Sequence, residues 1–286
     1  MENKLGSNNV TYVHCNVESE KDLKNAIDTC VKKYGKIDCL FNNAGFVGDS
    51  SSIEDIEEAG YDKTMNVLLR AVVFGSKYAV KAMKAQGNGG SIISTASVAG
   101  ISAGFGPMVY SVAKGAVMHF TKLLAVEQGP NNIRFNAICP GGILTPLLAG
   151  AGAGSPNENE WQTNPDAVKK RMEETANRMN LAQPIRRHGQ PSDIAKTALF
   201  LASDLSEFVT GQSIAVDGGL TSGRDRAGDL QRNIDLVNDE NAVKMMKFLG
   251  SMPEEKRMQF MFQARQRQMS NTGESKNKKV KIGSKM

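Results

Sequence analysis

The sequence predicts an α/β fold in which a doubly wound parallel sheet is covered by helices. Short apolar runs alternate with amphipathic stretches along residues 10–219, and this alternation is typical of βαβ units around a parallel sheet. The apolar runs are short and continuous, as in strands that are buried on both faces. With 286 residues, of which 40% are hydrophobic and 23% charged, the chain is long enough to bury a substantial core.

The first elements are marked by residue type and by spacing. Residues 10–17 (VTYVHCNV) are rich in β-branched side chains, which favours a strand. Apolar side chains recur at helical spacing in residues 18–34, and Gly35 follows as a helix stop. Residues 37–41 (IDCLF) are apolar apart from Asp38, and we predict a second, buried strand there.

The same alternation continues to the end of the sheet. After the loop 42–52, the predicted elements are a helix over residues 60–83, a strand over 91–95, a helix over 110–128, a strand over 133–139, a helix over 193–202 and a strand over 212–216. Pro191 and Ser192 precede the last helix, as residues that begin helices do.

A loop rich in small residues interrupts the alternation. Residues 147–159 (LLAGAGAGSPNEN) are dominated by Gly and Ala, and a charged amphipathic stretch follows at 165–180. Together, residues 147–180 predict a mobile lid that contains a helix.

The composition changes again at residue 223, where Arg, Lys, Gln, Asp and Met become frequent. We therefore predict one domain over residues 1–222 and a charged, Met-rich extension over residues 223–286. The extension contains two amphipathic stretches, 241–250 and 253–269, and is expected to end in a disordered Lys-rich segment.

The net charge of +5 comes entirely from this extension. Residues 223–286 carry 14 Lys+Arg against 8 Asp+Glu, whereas the preceding part is almost neutral. The main domain therefore gives no sign of a nucleic-acid partner. The four cysteines form no C-x-x-C pair, which argues against a zinc site or a disulfide framework, and no metal is expected.

No membrane partner is expected either, because no run of about 18 uncharged apolar residues occurs. The N-terminus lacks the basic-then-apolar pattern of a secretory signal, so a cytoplasmic location is expected. The last residues, Ser284, Lys285 and Met286, resemble the peroxisomal address Ser-Lys-Leu. The alternative is a Lys- and Ser-rich end that has this sequence by chance.

Candidate catalytic residues cluster around one predicted helix. Tyr110 and Lys114 stand four residues apart, so their side chains project from the same helix face. Ser97 follows the predicted strand 91–95 at the carboxyl edge of the sheet, where ligands bind in open α/β folds. Asn66 is a short amide inside an otherwise apolar predicted helix, where it is a mediocre helix former.

Small residues follow two other strands at the same edge. Asn42-Asn43-Ala44-Gly45 comes after the strand that ends at residue 41, and such residues let the backbone approach a flat ligand. A second segment, Pro140-Gly141-Gly142-Ile143-Leu144-Thr145, comes after the strand that ends at residue 139.

Taken together, these motifs resemble those of the short-chain dehydrogenase/reductase family of classical type, over about residues 10–219. The resemblance implies a Rossmann-like fold and a catalytic tetrad of Asn66, Ser97, Tyr110 and Lys114. It further implies hydride transfer between NAD or NADP and a small-molecule alcohol or carbonyl substrate. Family members commonly form homodimers or homotetramers through the helices that correspond to residues 66–83 and 110–128, and the same is expected here.

The resemblance also implies which residues hold the cofactor. The implied cofactor-binding residues are Asn16, Val17, Asn43, Ala44, Gly45, Tyr110, Lys114, Pro140, Gly141, Ile143 and Thr145. Asn16-Val17 departs from the family, in which Asp-Val is usual against the adenine.

The chemistry of the tetrad follows from pKa tuning. A tyrosine with an ordinary pKa near 10 is a poor base at neutral pH, and a nearby lysine ammonium favours its phenolate. Tyr110 is expected to exchange a proton with the substrate oxygen, which Ser97 hydrogen-bonds. Asn66 is expected to hold a water that links Lys114 to solvent.

One family motif does not occur in these 286 residues: the glycine-rich turn T-G-x-x-x-G-x-G, which holds the pyrophosphate. We therefore expect an N-terminally truncated sheet and weak binding of NAD(P)H by this polypeptide. Two function classes compete: an oxidoreductase, and a non-catalytic remnant whose dehydrogenase-like surface binds a partner. The complete tetrad favours the oxidoreductase.

Overall fold

The computed structural model describes residues 9–150 and 160–223, together with Pro253. These residues, apart from Pro253, belong to the first of two units, Met1–Arg224, and the second unit is Asp225–Met286. The predicted extension, including residues 284–286, lies outside the described residues apart from Gly223 and Pro253, as do residues 151–159 of the predicted lid. Those predictions therefore stay predictions.

A four-stranded parallel sheet forms the centre of the described part. The strands are β1 (Cys39–Asn42), β2 (Gly90–Thr95), β3 (Ile133–Pro140) and β4 (Ser213–Val216), paired in the order β1-β2-β3-β4. Asn42 is in register with Ser94, and Thr95 with Ile138. The carboxyl ends of β1, β2 and β3 therefore meet at one edge, and the predicted parallel sheet is confirmed.

Seven α-helices occur in the described residues. They are α1 (Glu20–Tyr34), α2 (Glu58–Met65), α3 (Ala71–Gln86), α4 (Met108–Gln128), α5 (Glu160–Thr163), α6 (Pro165–Ala182) and α7 (Pro191–Ala202). The start of α1 is fixed by Ser19, whose side chain accepts a hydrogen bond from the Asp22 amide. Its end is fixed by Gly35, whose φ of 80° is the left-handed conformation that glycine favours.

Helices cover both faces of the sheet, as two consecutive residues of β2 show. Ile92 packs in a cluster with Ile27 of α1 and Met83 of α3, whereas Ile93 packs with Leu201 of α7. Neighbouring side chains of a strand point to opposite faces, and both isoleucines are almost completely buried. This arrangement confirms the α/β class and shows that β2 is buried on both faces, whereas the predicted burial of the strand at residues 37–41 is wrong, because β1 has no buried residue and Phe41 is 38% exposed.

The predicted strand over residues 10–17 is wrong. Residues 10–16 have no regular secondary structure, and a turn follows at residues 17–18. A strand exists only where its backbone pairs with a neighbour, and none of the described strands pairs with this segment. Tyr12 in its middle is 82% exposed.

The second strand begins at Cys39, two residues later than predicted. The side-chain amide of Gln86 explains the shift, because it bonds both backbone groups of Ile37. The Ile37 N–H donates to Gln86 Oε1 at 3.0 Å, and Gln86 Nε2 donates to the Ile37 carbonyl at 2.7 Å. A side chain from α3 thus replaces the strand partner of Ile37.

The helix predicted over residues 60–83 is divided into three parts. A π-helix, Asn66–Arg70, separates α2 from α3, and the Ala71 N–H donates to the Asn66 carbonyl across its wider turn. Such one-turn bulges often occur at functional sites. The helix predicted within the lid is present as α6.

Candidate active site

Ser97 lies just beyond the carboxyl end of β2 and is 7% exposed. Its backbone is extended, with φ −170° and ψ 156°, and a 3₁₀ turn, Val98–Gly100, begins after it. The Ser97 Oγ accepts a hydrogen bond of 3.1 Å from the Ala99 N–H. The turn therefore fixes the hydroxyl at the edge of the sheet while leaving its own O–H free to donate to another group.

Tyr110 lies in the first turn of α4, and its phenol is largely buried. Burial raises the pKa of the phenol, and hydrogen bonding by the Ser97 side chain opposes this effect. The burial effect is the larger of the two. Tyr110 is therefore a neutral phenol over the physiological pH range, with Ser97 as its partner.

Lys114 follows one turn later on the same face of α4 and is only 4% exposed. Its Nζ donates a hydrogen bond of 2.7 Å to the backbone carbonyl of Thr95, and it lies 5.6 Å from the centre of the Tyr110 ring. Burial lowers the pKa of Lys114 to about 8. A buried ammonium with this pKa changes charge close to physiological pH.

The expected effect of Lys114 on the phenol is not found in this arrangement. The groups that shift the pKa of Tyr110 are its own burial and Ser97, and Lys114 is not among them. The Lys114 ammonium is instead bonded to the end of β2. The expectation of a lowered Tyr110 pKa is therefore wrong for these side-chain positions.

Asn66 is the first residue of the π-helix and is partly buried. The next turn packs against α4, because Leu68, completely buried, lies in a cluster with Ala113 and Tyr110. The Asn66 side chain makes no hydrogen bond within the described part of the chain, and its backbone carbonyl accepts from Ala71. The π-helix thus brings Asn66 into the neighbourhood of the Tyr110 helix.

The loop after β1 is held at the same edge by Thr95, whose Oγ1 donates 2.8 Å to Asn43 Oδ1. Asn43, Ala44 and Gly45 are exposed. A Cβ added to Gly45 would lie 3.8 Å from Lys114 Nζ, in ordinary contact. The exposed strip of small residues therefore borders directly on Lys114.

Two contacts with distant parts of the chain fix the backbone of the loop after β3. A Cβ on Gly141 would lie 2.6 Å from the Asp217 Cβ, so only glycine fits there. Ile143 forms an isolated parallel bridge with Gly189, and Thr145 Oγ1 donates 3.3 Å to the Ile143 carbonyl. Pro140 ends β3 itself.

Asn16 and Val17 lie beside the start of α1. The Asn16 N–H donates to Asp22 Oδ2, and Asn16 Oδ1 accepts from the Glu18 N–H. These hydrogen bonds are local to the first turn of α1. The structure thus brings Ser97, Tyr110, Lys114 and the loop at 43–45 together, and places Asn16 and Val17 in a separate turn.

Sequence reasoning missed two features that shape the site. The first is Thr95, which bonds both Lys114 and Asn43, and which the sequence shows only as the last residue of a strand. The second is the pairing of Gly189 with Ile143. Residues 46 positions apart meet here, and no local pattern could have indicated the contact.

Two further residues with reactive side chains, Cys139 and His188, lie in a strand and in a loop. Cys139 is completely buried at the end of β3, and burial raises the pKa of its thiol to about 11. His188 lies in the loop before α7, with its ring between Asn180 and Gln190. Neither is in a form suited to nucleophilic chemistry at this edge.

Residues 9–150 and 160–223 contain no group of three or more His, Cys, Asp or Glu side chains that could hold a metal ion. Within the same ranges no helix is long and apolar enough to cross a membrane.

Comparison with known proteins identifies the family. Residues 1–177 and 162–221 match the family model described as "Enoyl-(Acyl carrier protein) reductase". Short-chain dehydrogenase reductase 3b of Arabidopsis thaliana is 35% identical over 215 residues, which are 75% of this chain and 78% of that protein. The chain belongs to the short-chain dehydrogenase/reductase family.

Further short-chain dehydrogenase/reductase proteins are similar to the same extent. (+)-Borneol dehydrogenase 2 of Salvia officinalis is 35% identical, over 76% of this chain and 74% of that protein. The solved structure of the Thermoplasma acidophilum aldohexose dehydrogenase is 30% identical with a TM-score of 0.64, over 74% of this chain and 79% of that chain. Levodione reductase is 32% identical with a TM-score of 0.61, over 73% and 76%. The Rossmann-like fold is thereby confirmed.

Proposed function

We propose that this chain is an NAD- or NADP-dependent oxidoreductase that transfers hydride between the nicotinamide and an alcohol or carbonyl substrate. The proposed catalytic residues are Asn66, Ser97, Tyr110 and Lys114. The observation that carries the proposal is the meeting of three of them at one sheet edge, where Ser97 partners the Tyr110 phenol and Lys114 lies beneath its ring. Family membership supports it, since the relatives are named dehydrogenases and reductases.

The residues beside Lys114 are suited to binding the nicotinamide and its ribose in NAD or NADP. Asn43, Ala44 and Gly45 form an exposed strip without bulky side chains, and the Lys114 ammonium is in reach of a hydroxyl laid on that strip. The loop after β3 lies at the same sheet edge and is fixed by backbone hydrogen bonds from Gly141 N–H to the Val216 carbonyl and from Leu144 N–H to the Gly189 carbonyl. When bound, the nicotinamide group supplies or accepts the hydride.

Tyr110 and Ser97 act on the substrate oxygen. The neutral Tyr110 phenol donates its proton to a carbonyl oxygen as negative charge develops there, and the Ser97 hydroxyl donates a second hydrogen bond to the same oxygen. Because burial raises the pKa of Tyr110, the phenol is suited to donating a proton. At neutral pH the phenol is therefore in the protonated form that donates during carbonyl reduction, and in alcohol oxidation the same group would accept the proton.

Lys114 and Asn66 are proposed to return a proton from solvent to Tyr110. With a pKa of about 8, Lys114 exchanges a proton near physiological pH, and it lies one helical turn from Tyr110. Asn66 has a side-chain amide that the described residues leave without a hydrogen bond. Its proposed role is to hold a water between Lys114 and solvent.

The assembly proposed with this function is a homodimer or homotetramer. It is supported by exposed apolar side chains on α4, where Val126 is 82% and Leu123 56% exposed. Such side chains on one helix are typical of surfaces that are covered by a second copy. Small-molecule substrates and a cytoplasmic location complete the proposal.

A non-catalytic, partner-binding role is the alternative, and substitution of the phenol distinguishes the two. We expect Tyr110→Phe to lower kcat for ketone reduction at least about a hundredfold, with cofactor affinity little changed, and Lys114→Ala to damage both. Tyr78→Phe is the matched control, because its phenol donates to Glu20 at the start of α1.

The measurement is kcat and KM for the cofactor in each variant of the full-length protein. If Tyr110→Phe kept about a third of the activity or more, the assignment of the proton donor would be wrong. If the folded wild-type protein reduced no ketone, the partner-binding alternative would be supported instead.

A further inference from the structure

Exposed apolar side chains occur in the segment between Ser97 and Tyr110 and in the loop after β3. Ile101, Phe105 and Met108 lie between Ser97 and Tyr110 in sequence and are 41%, 43% and 39% exposed, and Leu148 in the loop after β3 is 45% exposed. The segments that carry these four side chains follow β2 and β3 at the sheet edge that holds Ser97 and Tyr110, and we treat the four as one candidate surface for an apolar ligand.

Packing around Gly106 places this surface beside the Tyr110 ring. A Cβ on Gly106 would lie 3.0 Å from Tyr110 Cδ1 and 3.1 Å from the Ala99 Cβ. Ser111 Oγ donates to the backbone carbonyls of Gly106 and Pro107, at 3.3 and 2.7 Å. The segment that carries Phe105 and Met108 is therefore tied to the helix turn that carries the phenol.

Charge is absent from the segments that border the site. Residues 85–113 and 135–150 contain no Asp, Glu, Lys or Arg. Lys114, which directly follows the first of these segments, is buried and donates a hydrogen bond to the Thr95 carbonyl. A carboxylate or phosphate on a substrate would find no cation in these two segments to compensate for its loss of water.

Helix α6 contributes a further apolar side chain next to the loop that follows β3. Met179 packs against Gly142, because a Cβ there would lie 2.4 Å from the Met179 Cε. Arg171 donates to the carbonyl of Ala149, the residue after Leu148, and is paired with both oxygens of Glu160. Lys169 and Lys170 are exposed to solvent.

From this surface we infer that the site accepts a neutral ketone or secondary alcohol with an extended apolar skeleton, and discriminates against substrates that carry a carboxylate or phosphate. The inference rests on the proposed function, because it names the substrate class of the same site. Ile101, Phe105, Met108 and Leu148 are the specificity-determining residues. The binding energy comes from apolar area removed from water.

A matched set of ketones tests the inference. The substrates are cyclohexanone, 4-tert-butylcyclohexanone and 4-oxocyclohexanecarboxylate, which share a ring and differ in added apolar area or charge. We expect kcat/KM to be highest for the tert-butyl ketone and at least about tenfold lower for the carboxylate.

Variants of the surface supply the control. Ile101→Ser and Phe105→Ser should each lower kcat/KM for the tert-butyl ketone about tenfold and change that for cyclohexanone less. Leu205→Ser is the matched control, because Leu205 is 81% exposed and follows α7, outside both segments. Its preference among the three ketones should equal that of the wild type.

A binding measurement separates this inference from the proposed function. Saturation-transfer NMR reports contact between the tert-butyl ketone and the full-length protein without requiring turnover. Binding that Ile101→Ser abolishes, without turnover of any ketone, would support the apolar surface and contradict the proposed function. Turnover of all three ketones with equal kcat/KM, or a preference for the carboxylate, would overturn the inference alone. Absence of both binding and turnover would overturn both.

Discussion

Lys114 Nζ donates a 2.7 Å hydrogen bond to the backbone carbonyl of Thr95, the last residue of β2. The hydroxyl of the same threonine donates 2.8 Å to Asn43 Oδ1. One residue at the end of a central strand thus holds both the lysine of α4 and the loop that follows β1. The sheet edge is organised around Thr95 as well as around the candidate catalytic side chains.

Removal of the Thr95 hydroxyl should loosen the loop at residues 43–45. Thr95→Val keeps the shape of the side chain but leaves Asn43 Oδ1 without its donor, which costs about 1 kcal/mol in the free energy of unfolding. Amide hydrogen exchange of residues 43–45 should become faster. Thr95→Ser retains the hydroxyl and should exchange like the wild type. Equal exchange in both variants would show that this hydrogen bond does not hold the loop.

The lowered pKa of Lys114 predicts how stability changes with pH. The folded-state pKa is about 8, against an ordinary value of 10.5. Between these two values the unfolded chain binds more protons than the folded chain, so the free energy of unfolding rises with pH. Below pH 8 both states carry the proton, and the cost of burying the charge is at its full size.

Lys114→Met isolates this effect, because methionine fills similar space and does not titrate. From pH 7 to pH 10 the wild type should gain about 2 kcal/mol in free energy of unfolding relative to the variant. Tyr110 is present in both chains, so its own titration largely cancels from the comparison. Urea unfolding at the two pH values is the measurement. A difference between the chains that stays constant with pH would contradict a lowered Lys114 pKa.

The close approach at Gly141 predicts a large effect from a small substitution. In Gly141→Ala the new Cβ meets the Asp217 Cβ at 2.6 Å and its Cα at 2.7 Å, so the backbone of one strand end must move. The expected loss is about 1–3 kcal/mol in free energy of unfolding. Gly129→Ala is the control, since its Cβ meets no atom within 4 Å. Thermal unfolding of both variants is the measurement. Similar stability of the two would show that the backbone of the loop after β3 can move to accommodate the added Cβ at little cost in free energy.

The parts of the fold that could be predicted are those set by local pattern. Strands β2 and β3 are short segments with apolar centres, and α1 and α7 have clear starting residues, so their bounds follow from the sequence to within about two residues. The order of these elements, together with Ser97, Tyr110 and Lys114, was sufficient to indicate the family.

The parts that could not be predicted depend on contacts between distant residues. Residues 10–17 have the composition of a strand, but composition does not supply a neighbouring strand. Ile37 leaves the strand pattern because Gln86, 49 residues later, bonds its backbone. The pKa of Tyr110 depends on how deeply the phenol is buried and on the direction in which Lys114 points, and spacing along a helix determines neither.

The most direct test of the proposed chemistry is to follow the hydride itself. The full-length protein is incubated with 4-tert-butylcyclohexanone and with NADH or NADPH deuterated at the transferring position of the nicotinamide. The cofactor concentration is raised well above the dissociation constant measured for the same preparation. Mass spectrometry of the alcohol then reports whether deuterium has moved to the carbinol carbon. We predict one deuterium per alcohol in the wild type and in Tyr78→Phe, and almost no alcohol in Tyr110→Phe. Labelled alcohol formed equally by Tyr110→Phe, or none formed by the wild type with either cofactor, would contradict the account.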